Sequence, residues 1–126
     1  MRSAEKNPEE SKADALCAEG RRTLAAGDAA QAVRCYRQAL AVDDEHVEAQ
    51  LGLMRALCAV GRVDQAIAVG LRLSVLAPLF AEGHRELAEC FRQAGQMPQA
   101  EAATRRARVV EWKQQLAAEP ADEAGE

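Results

Sequence analysis

Four cysteines, two histidines and a set of regularly spaced arginines are the residues of this chain whose types could do chemistry. Cys17, Cys35, Cys58 and Cys90 could form disulfides, ligate a metal or act as nucleophiles. They stand 18, 23 and 32 residues apart with no C-x-x-C, a spacing that favours free thiols buried as small apolar side chains over a redox or metal role. His46 and His84 have no Ser or Cys nucleophile at a recognisable spacing, and Cys58, His84 and Cys90 lack the paired-ligand spacing of a zinc site. Neither H-E-x-x-H nor a Gly-rich phosphate loop occurs. The chain therefore reads as a non-enzyme with no cofactor. The arginines follow a pattern: Cys17, Arg21 and Leu24, and again Leu51, Arg55 and Cys58, fall at i, i+4 and i+7 along one stripe of a helix. A guanidinium in such a stripe can bind a carboxylate bidentately and keeps its charge when partly desolvated.

Helices must position these residues. The chain has 126 residues, 48% of them hydrophobic but only 3% aromatic, and its apolar content leans on Ala, Leu and Val, which suits closely approaching helices. An all-α domain follows. The net charge of -4 is carried by Glu119, Asp122, Glu123 and Glu126, so the body is neutral and lacks the basic excess that nucleic-acid binding needs. No run of apolar residues is long enough to span a membrane, and the N-terminus MRSAEKNPEE has no apolar signal region. These features predict a cytoplasmic protein with no nucleic-acid or membrane partner.

The helical pattern is punctuated. AAGDAAQA at 25–32 returns as AVGRVDQA at 59–66 and QAGQMPQA at 93–100, so G-x-x-x-Q-A occurs three times, with glycines at 27, 61 and 95 and a period of 34 residues. Each glycine is expected to end a helix in the left-handed conformation. Three units of 34 residues, each two helical patterns around a Gly, resemble the tetratricopeptide repeat. Leu16, Gly20, Ala32, Tyr36 and Ala39 match that family's large and small positions in the first repeat. Leu53, Leu57, Ala66, Ile67 and Pro78 match in the second, and Leu87, Ala88, Phe91, Ala100 and Ala107 in the third. Departures are Glu19 and Thr23, then Met54, Gly70 and Leu73, then Glu101, Thr104, Arg108 and Trp112. Polar departures at the two ends fit terminal repeats with one unpartnered face. The resemblance implies a right-handed α-solenoid of three helix-turn-helix repeats.

Start and stop signals predict helices over about 8–26, 29–42, 47–60, 63–76, 81–94 and 98–118. Asn7-Pro8 opens the first, and Asp28 and Gln31 have capping-box spacing for the second. The last helix overruns its repeat, with Ala100, Ala103, Ala107 and Val110 inward and Val109, Trp112 and Leu116 adjoining them as a cap. The organisation expected is a disordered tail at 1–7, a three-repeat domain at 8–118 (repeats about 13–46, 47–80 and 81–112) and an acidic tail at 119–126. The chain reads as a monomer, with a dimer through the last helix as the alternative.

By the resemblance, the first helices of the repeats line a concave groove for another protein's peptide or helix. The residues it places there are Cys17, Arg21, Leu24, Glu48, Leu51, Arg55, Cys58, Arg85, Glu89 and Arg92. Arg21, Arg55, Arg85 and Arg92 would hold carboxylates of the partner; the competing reading pairs them with Glu48, Glu82, Glu86 and Glu89 on neighbouring turns and helices. Some members of the family clamp the carboxyl terminus of chaperones with Lys and Asn. Here the matching positions hold Cys17, Arg21, Gly52, Glu82 and Glu86, whose acidic members would repel a carboxylate. The function implied is a protein-interaction adaptor; the alternatives are an RNA-binding helical repeat or a self-assembling structural unit.

Overall fold

The computed structural model describes residues 7–119 and contains six helices: α1 (Pro8–Ala25), α2 (Ala29–Val42), α3 (Val47–Ala59), α4 (Val63–Leu76), α5 (Ala81–Gln93) and α6 (Met97–Ala118). The two expected tails lie outside the described residues, apart from Asn7 and Glu119. Among those residues there is no strand, and the architecture is an all-α solenoid of three hairpins, α1–α2, α3–α4 and α5–α6.

Each hairpin turns in the same way. Gly27, Gly61 and Gly95 have φ of 90°, 86° and 77°, and each turn closes a pair of backbone bonds that satisfies helix-end carbonyls. Gly27 N donates to Leu24 O (3.0 Å) and Asp28 N to Thr23 O (2.9 Å); Gly61 with Arg62, and Gly95 with Gln96, repeat both bonds. This is the Schellman arrangement, and a side chain other than glycine's would be strained at such φ. The start signals are less uniform. Asn7 accepts from Glu10 N at 2.7 Å and Asp28 from Gln31 N at 3.2 Å. The Asp28–Gln31 box is only half made, because the Gln31 side chain bonds Arg34 and Cys35 instead. An N-cap not foreseen is His46, whose Nδ1 accepts from Ala49 N at 3.1 Å; its proton therefore sits on Nε2, which donates to Asp14 Oδ1 at 2.7 Å.

Curvature follows from which helices touch. Besides its chain neighbours, α3 packs on both α1 and α5, whereas α2, α4 and α6 make no comparable contact with one another. The layer α1–α3–α5 is thus the tight inner side and α2–α4–α6 the splayed outer side. A cleft lined by Arg37, Leu40, Asp44, Gln50, Leu53 and Val69 opens between α2 and α4, spanned at the surface by the Arg37–Gln65 hydrogen bond of 3.2 Å.

The core runs through all three hairpins, with Tyr36, Met54, Leu57, Leu73 and Leu87 fully buried. Each such aliphatic side chain contributes about 1.5–3 kcal/mol. Two departures from the family pattern, Met54 and Gly70, turn out to be one exchange. In the first hairpin a small residue on the inner helix, Gly20, faces a large one on the outer helix, Tyr36; in the second the large residue is Met54 on α3 and the small one Gly70 on α4. Volume at the crossing is conserved while its source switches helices. Thr23 and Thr104 return their hydroxyls to Gly20 O and Ala100 O, while Glu101 and Arg108 are exposed.

The last helix differs from expectation. Ala100, Ala103, Ala107 and Val110 are buried, but Val109, Trp112 and Leu116 are 47%, 58% and 49% exposed. The helix outruns α5, the helix it packs on, so its final turns lack a helix beneath them. That part is held by an ion pair of Glu111 with Arg85 and by Gln114 Nε2 donating to Leu79 O at 3.0 Å.

Candidate partner-binding face

The inner layer presents one face of α1, α3 and α5, and the expected groove residues fall on it unequally. Arg21, Glu48, Arg55, Glu89 and Arg92 are exposed, and Leu24 and Cys58 are half-buried. Cys17 and Leu51 are core residues, 2% and 3% exposed, and line no accessible groove. The reason is geometric: a helix buries the flank it turns to each neighbour in the layer as well as its back, so α3 between α1 and α5 buries both flanks and α1 the flank facing α3, leaving a narrower exposed stripe than an isolated amphipathic helix would have. Arg85 is also displaced from its expected role, since its partner Glu111 lies on α6 at the end of the stack.

The electrostatics of the face are dominated by Arg55. Its Nε donates to Glu86 Oε1 and its Nη2 to Glu82 Oε2, both at 3.0 Å, so one guanidinium from the second repeat ties two carboxylates one turn apart on the third. Burial alone would lower this guanidinium; the hydrogen bonds it donates to Glu86 and Glu82, with their negative charge, outweigh burial and hold the group above its ordinary value. Arg92 pairs with Glu89 on its own helix at 3.3 Å. Arg21 differs. Among the described residues its hydrogen bond goes to Cys17 Sγ at 3.6 Å, and its charge meets no carboxylate within ion-pair distance.

Three features of this region escape the residue pattern alone. Tyr36 reaches from the outer helix α2 between Gly20 of α1 and Gly52 of α3. His46, at the N-terminus of α3, joins Asp14 of α1. Cys58 and Cys90 meet across the second and third repeats with sulfurs 3.2 Å apart. The last two pairs are each 32 residues apart, close to the repeat period, and this near-coincidence is the signal that could have found them: stacked repeats set such positions side by side. His84, considered together with Cys58 and Cys90, instead gives its Nε2–H to Pro78 O at 2.8 Å.

A solenoid of three stacked helical hairpins belongs to the class of helical-repeat proteins. Two tetratricopeptide repeat family models match the chain, over residues 23–78 and 60–115. The chain belongs to the tetratricopeptide repeat family. Among solved structures, PcrH of Pseudomonas aeruginosa in complex with the chaperone binding region of PopB is similar, with a TM-score of 0.76 at 24% identity, covering 90% of this chain and 88% of that one. The Yersinia enterocolitica type III secretion translocator chaperone SycD, in an alternative dimer, gives 0.76 at 20% identity over 90% and 83%. The second such domain of Spaghetti (RPAP3), bound to the HSP90 peptide SRMEEVD, gives 0.75 at 13% identity over 80% and 94%. Likeness at these identities is likeness of fold. A search of the curated proteins returns no match. No helix among the described residues is long and apolar enough to cross a membrane.

Proposed function

We propose that residues 8–118 form one adaptor unit that binds an extended or helical segment of another protein along the face of α1, α3 and α5, without covalent chemistry. The observation that carries this reading is Arg21: an exposed guanidinium on the inner face that pairs with no carboxylate among the described residues. Among the described residues it is the inner-face arginine open to a partner's carboxylate, whereas Arg55 and Arg92 are already engaged. Three inner helices about 10 Å apart give a trough of ~20–30 Å, room for roughly six to nine extended residues. Contact on that scale belongs to the transient class, with micromolar affinity of about -8 kcal/mol. PcrH and Spaghetti, of the same fold, are described with protein segments bound, which supports the reading. A chaperone-type carboxyl terminus is not the ligand favoured here, because Glu82 and Glu86 stand where the clamp would need cations.

The test is a pull-down with wild type beside Arg21→Glu and beside the Arg21→Glu, Arg55→Glu, Arg85→Glu triple variant. Both variants should lose the wild-type prey, and unchanged prey lists would move the binding surface elsewhere. A second reading, association of two copies through α6, is favoured by the joint exposure of Val109, Trp112 and Leu116 on one helical stripe. Light scattering on wild type and Trp112→Ala decides it, since a monomer in both cases excludes this dimer.

A further inference from the structure

Cys58 on α3 and Cys90 on α5 are both free thiols, and their Sγ atoms are 3.2 Å apart. A disulfide holds its sulfurs at about 2.05 Å, so bonding these two asks for a shift of about 1 Å. The other cysteines have no thiol neighbour of this kind: Cys17 Sγ accepts from Arg21 and Cys35 Sγ from Gln31. Cys58 is half-buried one turn beyond Arg55, whereas Cys90 is fully buried beneath it. One thiol is therefore open to a reagent and the other is positioned to resolve what the first captures.

We propose that Cys58 and Cys90 are a dithiol modification site, converted by a low-molecular-weight disulfide such as oxidised glutathione into an intramolecular bond that ties α3 to α5. Cys58 loses its proton and attacks one glutathione sulfur, breaking the reagent's S–S bond and releasing one glutathione thiolate. Cys90 then loses its proton and attacks Cys58 Sγ, displacing the second glutathione. One S–S bond is made and one is broken; two electrons pass from the protein dithiol to the reagent, and the two protons end on two glutathione thiols. Burial raises both thiols, so the exchange is slow and calls for long incubation at mildly alkaline pH. The bond would lie on the interface already spanned by Arg55, Glu82 and Glu86, and it would fix the angle between the second and third repeats whatever binds there.

The experiment is incubation of the full chain with oxidised glutathione, followed by tryptic digestion without reduction. Cleavage after Arg55, Arg62, Arg85 and Arg92 puts Cys58 in ALCAVGR and Cys90 in ELAECFR, and leaves Cys17 and Cys35 in other peptides. The expected product is ALCAVGR linked to ELAECFR within one chain, with free thiols falling from four to two and a higher Tm. In Cys90→Ser the reaction should stop with glutathione on Cys58. Wild type that stops at the same mixed disulfide, links only between chains, or stays unreacted while the urea-unfolded chain reacts, would overturn the proposal, and none of these outcomes depends on a variant folding.

Discussion

Tyr36 occupies the space into which any residue other than glycine at position 52 would project, for a Cβ there would stand 2.2 Å from the ring's Cζ. An aromatic side chain from the outer helix of one repeat is wedged into the inner helix of the next. Contact between repeats one and two therefore depends on an absent side chain.

Gly52→Ala should for this reason destabilise the protein by about 1–3 kcal/mol in urea unfolding, because the ring can move only by disturbing both inner helices. Gly70→Ala is the control. Its methyl would meet Met54 Cε at 2.6 Å and Leu87 Cδ1 at 2.8 Å, both the free ends of flexible side chains that can turn aside where a ring cannot. The gain in helix propensity of about 1 kcal/mol offsets the rest, leaving the variant within about 1 kcal/mol of wild type. Equal costs at the two positions would show that the ring is not wedged.

Arg55 links the second and third repeats through charge. Its side chain is 42% exposed and Glu82 46%, so solvent screens the pairs and removal costs little by itself, ~0.2–1 kcal/mol. Arg55→Met also leaves Glu82 and Glu86 as like charges at i,i+4. A double-mutant cycle with Glu86→Gln should give a favourable coupling of several tenths of a kcal/mol that shrinks in ~1 M salt. Zero coupling at low salt would reduce the bridge to a geometric coincidence.

Alkaline pH should weaken the fold well before general denaturation. Burial raises Cys17, Cys58 and Cys90 above the ordinary thiol value of 9.0, and Tyr36 above 10.0. Below pH 9 both folded and unfolded chains keep these protons, and the stability they support is fully present. Above pH 9 the unfolded chain releases thiol protons that the folded chain retains, so stability falls by up to ~1.4 kcal/mol per pH unit per thiol. Urea unfolding under reducing conditions from pH 8 to pH 10.5 measures the slope, and Cys58→Ala with Cys90→Ala should flatten it.

The glycines at 27, 61 and 95 made the period and the hairpins legible, because a left-handed helix end has a strong residue preference that sequence displays directly. Arg55 shows where legibility ends. Its competing partners, a ligand or Glu82 and Glu86, are chemically alike, and only the lateral spacing of α3 and α5 chooses between them. Cys17 and Leu51 shared the periodicity of exposed Arg21 and Arg55, and their burial depends on neighbouring helices that no single stripe reveals. Trp112 has the helical spacing of a residue adjoining the inward stripe of α6, and whether anything lies beneath it depends on where α5 stops.

The separation of α2, α4 and α6 has a mechanical meaning. Successive units meet where α2 packs on α3 and α4 on α5 as well as along the inner layer, while the outer helices make no comparable contact with one another, so small rotations at these seams add up while each hairpin stays intact. The molecule is built like a leaf spring, stiff in every leaf and compliant at the seams between them.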